Sequence, residues 1–347
     1  MTQKLQKILV IRNDKLGDFM LAFPSFALLK QNLPDAEIHA LVPEYTQALA
    51  EQSVYIDKCI TDPGEASGIR HLTALIRQQD YDAILTLFST SRIGICALSA
   101  RIPYRLAPAT KIAQFFYNHR LRQRRSRSEK PEYAYNLDLA KRMLADFSVD
   151  IKREPQSPFL TFKQKSINKI RAEFCQQHAI NTRLPIVFIH PGSGGSANNL
   201  SIKQYAEIAQ GLVQNSSLSI VISTGPGEEQ TGRGMSQLLN QTPHTHYHSS
   251  EGLVRFAQHI NMADLFISGS TGPLHIAGAL DVATVGFYPR RRSATSLRWQ
   301  TLNTPERRLA ISPPEQTDES DMSQIDTKTA SDKILDYYAR IFTTTNE

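Results

Sequence analysis

Residues 267–289, ISGSTGPLHIAGALDVATVGFYP, contain an apolar run, a turn rich in glycine and hydroxyl groups, a second apolar segment and a β-branched run. Together with the preceding residues they predict a strand at 265–268, a helix at 275–280 and a strand at 284–287. A helix that connects two neighbouring buried strands is typical of a parallel sheet. The stretch therefore predicts an α/β fold, with polar chemistry in the turn at 269–274.

The same alternation occurs in both halves of the chain. In the first half, Lys7–Ile11 (KILVI) predicts a strand that leads through a turn-prone loop into an apolar periodic stretch. Further elements are predicted in each half: strands at 36–42, 83–88, 186–189 and 219–223, and helices at 45–52, 68–79, 135–147, 165–178, 203–213 and 252–260. The polar, proline-containing segment 149–158 separates the two series. We expect domains at 1–155 and 156–325, and an amphipathic helix within 326–347 that packs back toward the N-terminal domain.

The composition indicates a soluble protein large enough for two domains. The chain has 347 residues, of which 41% are hydrophobic and 21% charged. Cys59, Cys96 and Cys175 are odd in number and widely separated, which favours neither a disulfide framework nor a clustered metal site. The N-terminus does not resemble a signal peptide, and no window reaches the length of an apolar membrane span. We expect a cytoplasmic protein.

Much of the net charge of +6 lies in residues 119–130, HRLRQRRSRSEK. This run predicts either a solvated loop or a surface for a partner rich in phosphate, such as an anionic lipid surface. Nucleic acid fits less well, because no helix-turn-helix, zinc-finger spacing or aromatic RNA-binding signature accompanies the run.

Three loops follow predicted strands, at residues 13–18, 190–199 and 269–274. Ligands of open α/β sheets bind outside the carboxyl ends of the strands, so these loops are the candidate site. The turn at 269–274 suits a phosphate at a helix N-terminus, although a plain helix cap explains the same residues. The HPGSGG segment adds a second glycine-rich turn. Neither turn is a Walker loop or a GxGxxG fingerprint, which argues against a P-loop enzyme and a dinucleotide oxidoreductase.

Single residues in these loops leave alternatives open. Asp18 could accept a proton from a hydroxyl or merely stabilise a helix N-terminus. His275 could contact a ligand, cap the helix or pack. Asp80 and Asp82 spell a DxD pattern, but they precede a strand and therefore predict a helix-to-strand turn rather than a metal site.

Three segments together resemble glycosyltransferase family 9, which includes the ADP-heptose:lipopolysaccharide heptosyltransferases. They are ILVIRNDKLGDFMLAFP, IHPGSGGSANNLSIKQYAEIA and STGPLHIAGAL, in the family's order and spacing. The resemblance implies a GT-B fold of two Rossmann-like domains that face an interdomain cleft. It also implies an inverting, metal-independent transfer of heptose from ADP-heptose to an inner-core lipopolysaccharide acceptor at the cytoplasmic face of the inner membrane. No cofactor is implied, since the nucleotide sugar is a substrate.

The resemblance also assigns residues. Asp18 matches the family's proposed base, and Glu228 matches a region that contacts the donor's sugar hydroxyls. The remaining donor-binding candidates lie in the two turns: Ser193, Gly194, Asn198, Ser270, Thr271, Gly272, Pro273, Leu274 and His275. Candidates for contact with the acceptor or a phosphate are Lys15, Arg120, Arg122, Arg290 and Arg292.

Two departures from the family pattern stand out. Ser270 replaces an aspartate of many members, and Asn198 replaces a phosphate-binding lysine. Arg290, Arg291 and Arg292 could supply the missing positive charge. The departures leave open a GT-B transferase or epimerase that uses another nucleotide sugar, or a non-catalytic glycolipid-binding relative.

Overall fold

The structure is a computed structural model that describes residues 5–195 and 198–343, with side chains up to residue 342. The chain divides into two compact units, Met1–Leu160 and Thr161–Glu347. The division lies five residues after the predicted boundary at 155, just beyond the polar segment 149–158.

The first unit is a parallel six-stranded sheet with the strand order β3-β2-β1-β4-β5-β6. Its strands are β1 (Lys7–Ile11), β2 (Glu37–Pro43), β3 (Lys58–Asp62), β4 (Ala83–Thr86), β5 (Tyr104–Pro108) and β6 (His119–Leu121). Its α-helices are α1 (Leu16–Met20), α2 (Phe23–Asn32), α3 (Glu44–Ala50), α4 (Gly68–Arg77), α5 (Ser91–Ser99) and α6 (Glu132–Asp146), and short 3₁₀ turns lie at Ile112–Phe116 and Arg125–Arg127.

The second unit repeats the architecture with the order β12-β11-β10-β7-β8-β9. Its strands are β7 (Ile186–His190), β8 (Ser219–Thr224), β9 (His244–His248), β10 (Leu265–Gly269), β11 (Ala283–Phe287) and β12 (Arg308–Ile311). Its α-helices are α7 (Gln164–Gln177), α8 (Ile202–Asn215), α9 (Glu229–Leu239), α10 (Leu253–Asn261), α11 (Gly272–Ala279) and α12 (Thr327–Thr343).

The central strands of both sheets are buried on both faces, as expected for parallel strands covered by helices. This explains why KILVI, AILT and IVFIH are nearly continuous apolar runs rather than alternating ones. Helix α8 begins with a capping box, in which Ser201 and Gln204 bind each other's backbone N–H groups.

Helix α12 packs on α8 of the second unit. Ala330, Ile334 and Tyr337 join the apolar core of that unit. The two helices approach closely at Gly211, where a side chain would collide with Ser331. The predicted packing of this helix toward the N-terminal domain stays a prediction.

Several local predictions need correction. The loop predicted at 13–18 already contains the start of α1, so Asp18 lies in the first turn of a helix. Helix α11 begins at Gly272 rather than at residue 275, because Thr271 adopts the extended N-cap conformation and Pro273 fits the first turn. The basic run at 119–130 begins as the edge strand β6 rather than as a loop. The DxD segment is confirmed as a turn, in which the Asp82 carboxylate accepts the N–H groups of Gln6 and Lys7.

Among the described residues, every helix is too short or too polar to cross a lipid bilayer.

Candidate active site

One group of candidate residues lies in the first unit, at the carboxyl end of β1, where the buried Arg12 follows the strand. Only 2% of this side chain is exposed. Its Nε donates to Asp14 Oδ1 at 2.8 Å, and its Nη2 donates to Asp18 Oδ1. Its Nη1 lies 3.1 Å from Glu132 Oε1. One guanidinium therefore holds three carboxylates.

Helix α6 supplies the far side of this cluster. Asn136 accepts a hydrogen bond from Arg12 Nη1 at 3.3 Å and donates from Nδ2 to the Leu21 carbonyl at 3.1 Å. Arg125 Nη1 lies 2.5 Å from the same Glu132 oxygen that Arg12 contacts. The cluster thus ties the start of α6 to the loop after β1 and restrains the orientation of Asp18.

Burial has the largest effect on the pKa of Asp18. Removal from water raises the pKa of Asp18 to about 6, although the adjacent Arg12 lowers it. Asp14 and Glu132 add repulsion in the same direction as burial. Burial alone would lower the pKa of Arg12, but its three carboxylate neighbours raise it, so the guanidinium stays charged. A half-buried carboxylate with a pKa near neutrality can accept and release a proton.

The basic candidates of this unit lie on its surface. Lys15 is exposed at the N-cap of α1, and Arg120 and Arg122 are exposed on and just after β6. Arg122 lines a concavity of about 660 Å³ that α6 borders. Its other charged lining residues are Arg124, Glu129, Lys130, Asp138, Lys141 and Arg142, so cations outnumber carboxylates there.

A separate group of candidate residues lies in the second unit, at the carboxyl ends of β10, β7 and β8, which are neighbours in the second sheet. His190 ends β7, and its Nε2 lies 3.3 Å from Glu228 Oε2. The same carboxylate oxygen accepts the Gly225 N–H at 2.9 Å. It covers Gly192, where a side chain would collide with it. The loops after β7 and β8 are therefore joined through Glu228.

The turn that precedes α11 is joined to this group by hydroxyl contacts. Ser268 Oγ donates to the His190 carbonyl at 3.0 Å and lies 3.1 Å from Thr271 Oγ1. Thr271 is buried, whereas Ser270 is only partly buried. Gly272 and Pro273 are also partly buried at the first turn of the helix, where backbone N–H groups have no acceptor within the helix.

Leu274 and His275, in the first half of α11, have different environments. Leu274 is completely buried, which makes it a core residue. His275 is 3% exposed, and its Nδ1 has no hydrogen-bond partner among the described residues. Burial lowers the pKa of His275 to about 4, so the imidazole is neutral at pH 7.

The glycine-rich segment after β7 is only partly described, since residues 196 and 197 lie outside the described ranges. Ser193 is half-buried, and Gly194 is exposed with a φ of +51°. Asn198 is exposed, and its Nδ2 donates to the Ser320 carbonyl at 3.2 Å.

The three arginines after β11 differ from one another. Arg290 is half-buried, and its Nη2 donates to the Thr317 carbonyl at 2.5 Å. Arg291 and Arg292 are exposed. One nitrogen of the Arg290 guanidinium is thus already hydrogen-bonded to a backbone carbonyl.

Sequence reasoning missed the residues that support these groups. Arg12 follows β1 directly, but its partner Glu132 lies 120 positions away, which no local pattern reveals. Asn199 was also missed. Its Oδ1 accepts the Tyr205 hydroxyl at 2.6 Å, its Nδ2 donates to the Pro191 carbonyl at 3.0 Å, and its side chain fills the space beside Gly269. The sequence signal that could have identified Asn199 is its position in the NNL segment of the loop after β7.

Within the described residues, no group of three or more His, Cys, Asp or Glu side chains is arranged to hold a metal ion.

Comparison with known proteins places this arrangement in a family. The model of glycosyltransferase family 9 (heptosyltransferase) matches residues 69–319. The chain belongs to glycosyltransferase family 9. A Haemophilus influenzae protein that carries the name of a candidate glycosyltransferase is 42% identical over 312 residues, covering 89% of this chain and 90% of that protein. The chain is therefore a glycosyltransferase.

Solved structures agree with the fold of this family 9 glycosyltransferase. The E. coli ADP-heptose lipopolysaccharide heptosyltransferase II matches with a TM-score of 0.78 and 18% identity, covering 96% of this chain and 99% of that one. The E. coli heptosyltransferase WaaC, solved with ADP, matches with a TM-score of 0.72 and 13% identity, covering 96% and 100%. The two parallel sheets confirm the predicted GT-B fold class.

Proposed function

We propose that this family 9 glycosyltransferase transfers heptose from ADP-heptose to an inner-core lipopolysaccharide acceptor, with inversion at the anomeric carbon and without a metal. The observation that carries the proposal is the Asp18 carboxylate, which is hydrogen-bonded to the buried Arg12 and whose pKa burial raises to about 6. A metal-independent inverting transfer needs such a base on the acceptor side.

The proposed step balances as a single displacement. The acceptor oxygen forms a bond to the anomeric carbon while the bond between that carbon and the β-phosphate oxygen breaks. ADP leaves with the electron pair, and the acceptor's proton moves to an Asp18 oxygen. Arg12 keeps the carboxylate oriented and partly offsets the burial that would otherwise protonate it.

The turn before α11 is the proposed site of the departing diphosphate. The N–H groups of its first helical turn and the Thr271 hydroxyl can donate to phosphate oxygens, and the helix dipole favours the charge that develops there. The partly buried backbone at Gly272 and Pro273 leaves room for this approach. The solved complex of the E. coli relative WaaC with ADP supports an adenine nucleotide as the carrier of the sugar.

Glu228 and His275 are proposed to contact the donor beside this turn. Glu228 would exchange its contacts with His190 and Gly225 for hydroxyl groups of the donor. His275, neutral at pH 7, can donate or accept a hydrogen bond but cannot supply a charge. We propose Ser193, Gly194 and Asn198 as polar contacts from the loop after β7.

We propose that the acceptor meets the basic surface of the first unit. Lys15, Arg120 and Arg122 are exposed there, and the concavity beside α6 carries an excess of cations. Acidic sugars and phosphates of a glycolipid core match that charge. The same charge would hold the enzyme at the anionic cytoplasmic face of the inner membrane, as a peripheral protein.

The departures at Ser270 and Asn198 favour a second candidate, transfer from another nucleotide sugar by the same chemistry. Asn198 is neutral and donates to a backbone carbonyl. Arg290 already donates a hydrogen bond to the Thr317 carbonyl, so the exposed Arg292 is the better candidate to supply the positive charge that Asn198 lacks. If Arg290, Arg291 and Arg292 can each be replaced by alanine without weaker ADP binding, the compensation is wrong.

A donor panel tests the proposal. The purified protein is incubated with ADP-heptose, UDP-glucose or UDP-N-acetylglucosamine, with a truncated lipopolysaccharide acceptor and with EDTA. We expect an acceptor that gains one heptose residue, with the anomeric configuration opposite to that of the donor. A product formed only from a UDP-sugar would favour the second candidate. Conversion of a nucleotide sugar without acceptor would indicate an epimerase.

A further inference from the structure

The first unit exposes a pair of large apolar side chains on one short turn. Ile112 and Phe115 are each 72% exposed. They belong to the 3₁₀ turn Ile112–Phe116, in which residues three apart lie on the same face. Single exposed apolar residues are ordinary on protein surfaces, but two adjacent ones form a small patch.

The opposite face of the turn fixes it to the unit. Ala113 is 3% exposed, and the Phe116 ring packs over Gly94 of α5, where a side chain would lie 2.7 Å from Phe116 Cδ2. The Phe116 carbonyl also accepts a hydrogen bond from Arg105 Nε at 3.2 Å. Ile112 and Phe115 are therefore presented on an anchored turn.

The turn is flanked by positive charge. Lys111 is exposed immediately before it. In the parallel register Pro108 pairs with Leu121, and the Ala109 N–H donates to the Leu121 carbonyl at 2.8 Å. This pairing places the start of the turn beside the end of β6, where Arg120 and Arg122 are exposed. Strand β6 is an edge strand of the first sheet, and the turn belongs to the connection that leads into it.

We infer that this edge is a membrane-docking surface, with Ile112 and Phe115 inserting into the interfacial region of an anionic bilayer while Lys111, Arg120 and Arg122 contact the lipid phosphates. Apolar side chains framed by lysine and arginine are the combination that binds such an interface. A second copy of the chain fits less well, because symmetric pairing would bring the two basic rims together. The inference deepens the proposed function and rests on its assignment of the acceptor to a membrane.

Vesicle binding tests the inference without using sugar transfer. The full-length protein is sedimented with vesicles of phosphatidylglycerol and phosphatidylethanolamine, and with neutral phosphatidylcholine vesicles. We expect the double variant I112S/F115S to bind the anionic vesicles about tenfold more weakly than the wild type, since it loses two inserting side chains. The matched control is Val54→Ser, which removes another side chain of the first unit that is 70% exposed. It should bind like the wild type.

A spectroscopic measurement tests directly whether the side chain at position 115 enters the bilayer. Phe115→Trp should shift its fluorescence to the blue on anionic vesicles and be quenched by brominated lipids, measured as a difference from the wild type with its single Trp299. Unchanged vesicle binding by I112S/F115S, an unshifted Phe115→Trp spectrum, or a dimer in sedimentation that I112S/F115S dissociates would overturn the inference. A protein that binds vesicles through this turn but transfers no heptose would contradict only the proposed function.

Discussion

Replacing Arg12 by methionine removes the cation that contacts Asp14, Asp18 and Glu132 together, and leaves Arg125 in contact with Glu132. Methionine keeps much of the aliphatic volume, so the change is mainly electrostatic. Only 2% of the Arg12 side chain and 2% of the Glu132 side chain are exposed, and the Asp14 and Asp18 side chains are 15% and 16% exposed. Without Arg12, water solvates these carboxylates poorly.

The expected loss follows from breaking a buried ion pair on one side, which costs about 3–5 kcal/mol. The loss should depend on pH. In Arg12→Met the folded-state pKa of Asp18 rises beyond its present value of about 6, while the unfolded value stays ordinary. A raised folded pKa means that stability falls as pH rises, so the destabilisation should be larger at pH 8 than at pH 5, by up to about 1.4 kcal/mol per pH unit for each carboxylate that titrates.

Urea titrations followed by circular dichroism at pH 5 and pH 8 measure both effects. The matched control is Arg70→Met, which removes an exposed arginine of the same unit. The control should change the free energy of unfolding by no more than about 0.5 kcal/mol at either pH. An Arg12→Met variant within about 1 kcal/mol of the wild type at both pH values would refute the reasoning that Arg12 is the charge centre of this cluster.

The remaining predictions concern the two sheets separately. The kcat/KM of the wild type should rise with pH through an acidic limb near 6, the pKa to which burial raises Asp18, and a profile flat from pH 5 to 8 would exclude Asp18 as the titrating base. Gly192→Ala should displace the Glu228 carboxylate and weaken ADP binding measured by calorimetry. The control is Gly234→Ala in α9, where a side chain would meet only the terminal carbon of Ile202 at 3.1 Å, and equal affinities of the two variants would contradict the role of Glu228. Tyr205→Phe should destabilise the second unit by about 1–2 kcal/mol, because the completely buried Tyr205 loses its hydrogen bond of 2.6 Å to Asn199, and an unchanged urea midpoint would disprove that contribution.

Most interior strands of both sheets could be predicted from sequence, because a strand buried on both faces is a continuous apolar run. KILVI, AILT, IVFIH and SIVIST all have this property. The interior strand β5 (YRLAP) was not predicted, since it contains an arginine and ends in proline. The strands β6 and β9, HRL and HTHYH, could not be predicted. Both lie at sheet edges, where pairing on one side and partial exposure allow polar side chains, so the apolar signal is missing.

In the candidate site, too, features that depend on neighbouring residues in the sequence could be predicted, whereas contacts between distant residues could not. The turn before α11 was visible because glycine, threonine and proline have local conformational preferences. The burial of Arg12 was not visible, because it depends on α6, whose Glu132 lies 120 positions away in the sequence. The same holds for the His190–Glu228 contact, which joins loops 38 positions apart on adjacent strands.

The most direct test of the account is the replacement of the proposed base by its neutral isostere. Single-turnover transfer from ADP-heptose to the truncated acceptor is followed by mass spectrometry in Asp18→Asn and in the wild type, with ADP affinity measured in parallel. We predict transfer slowed by about 100- to 10,000-fold in Asp18→Asn with unchanged ADP affinity, because the variant lacks the proton acceptor but keeps the turn of the second unit. Transfer at the wild-type rate by Asp18→Asn would contradict this prediction.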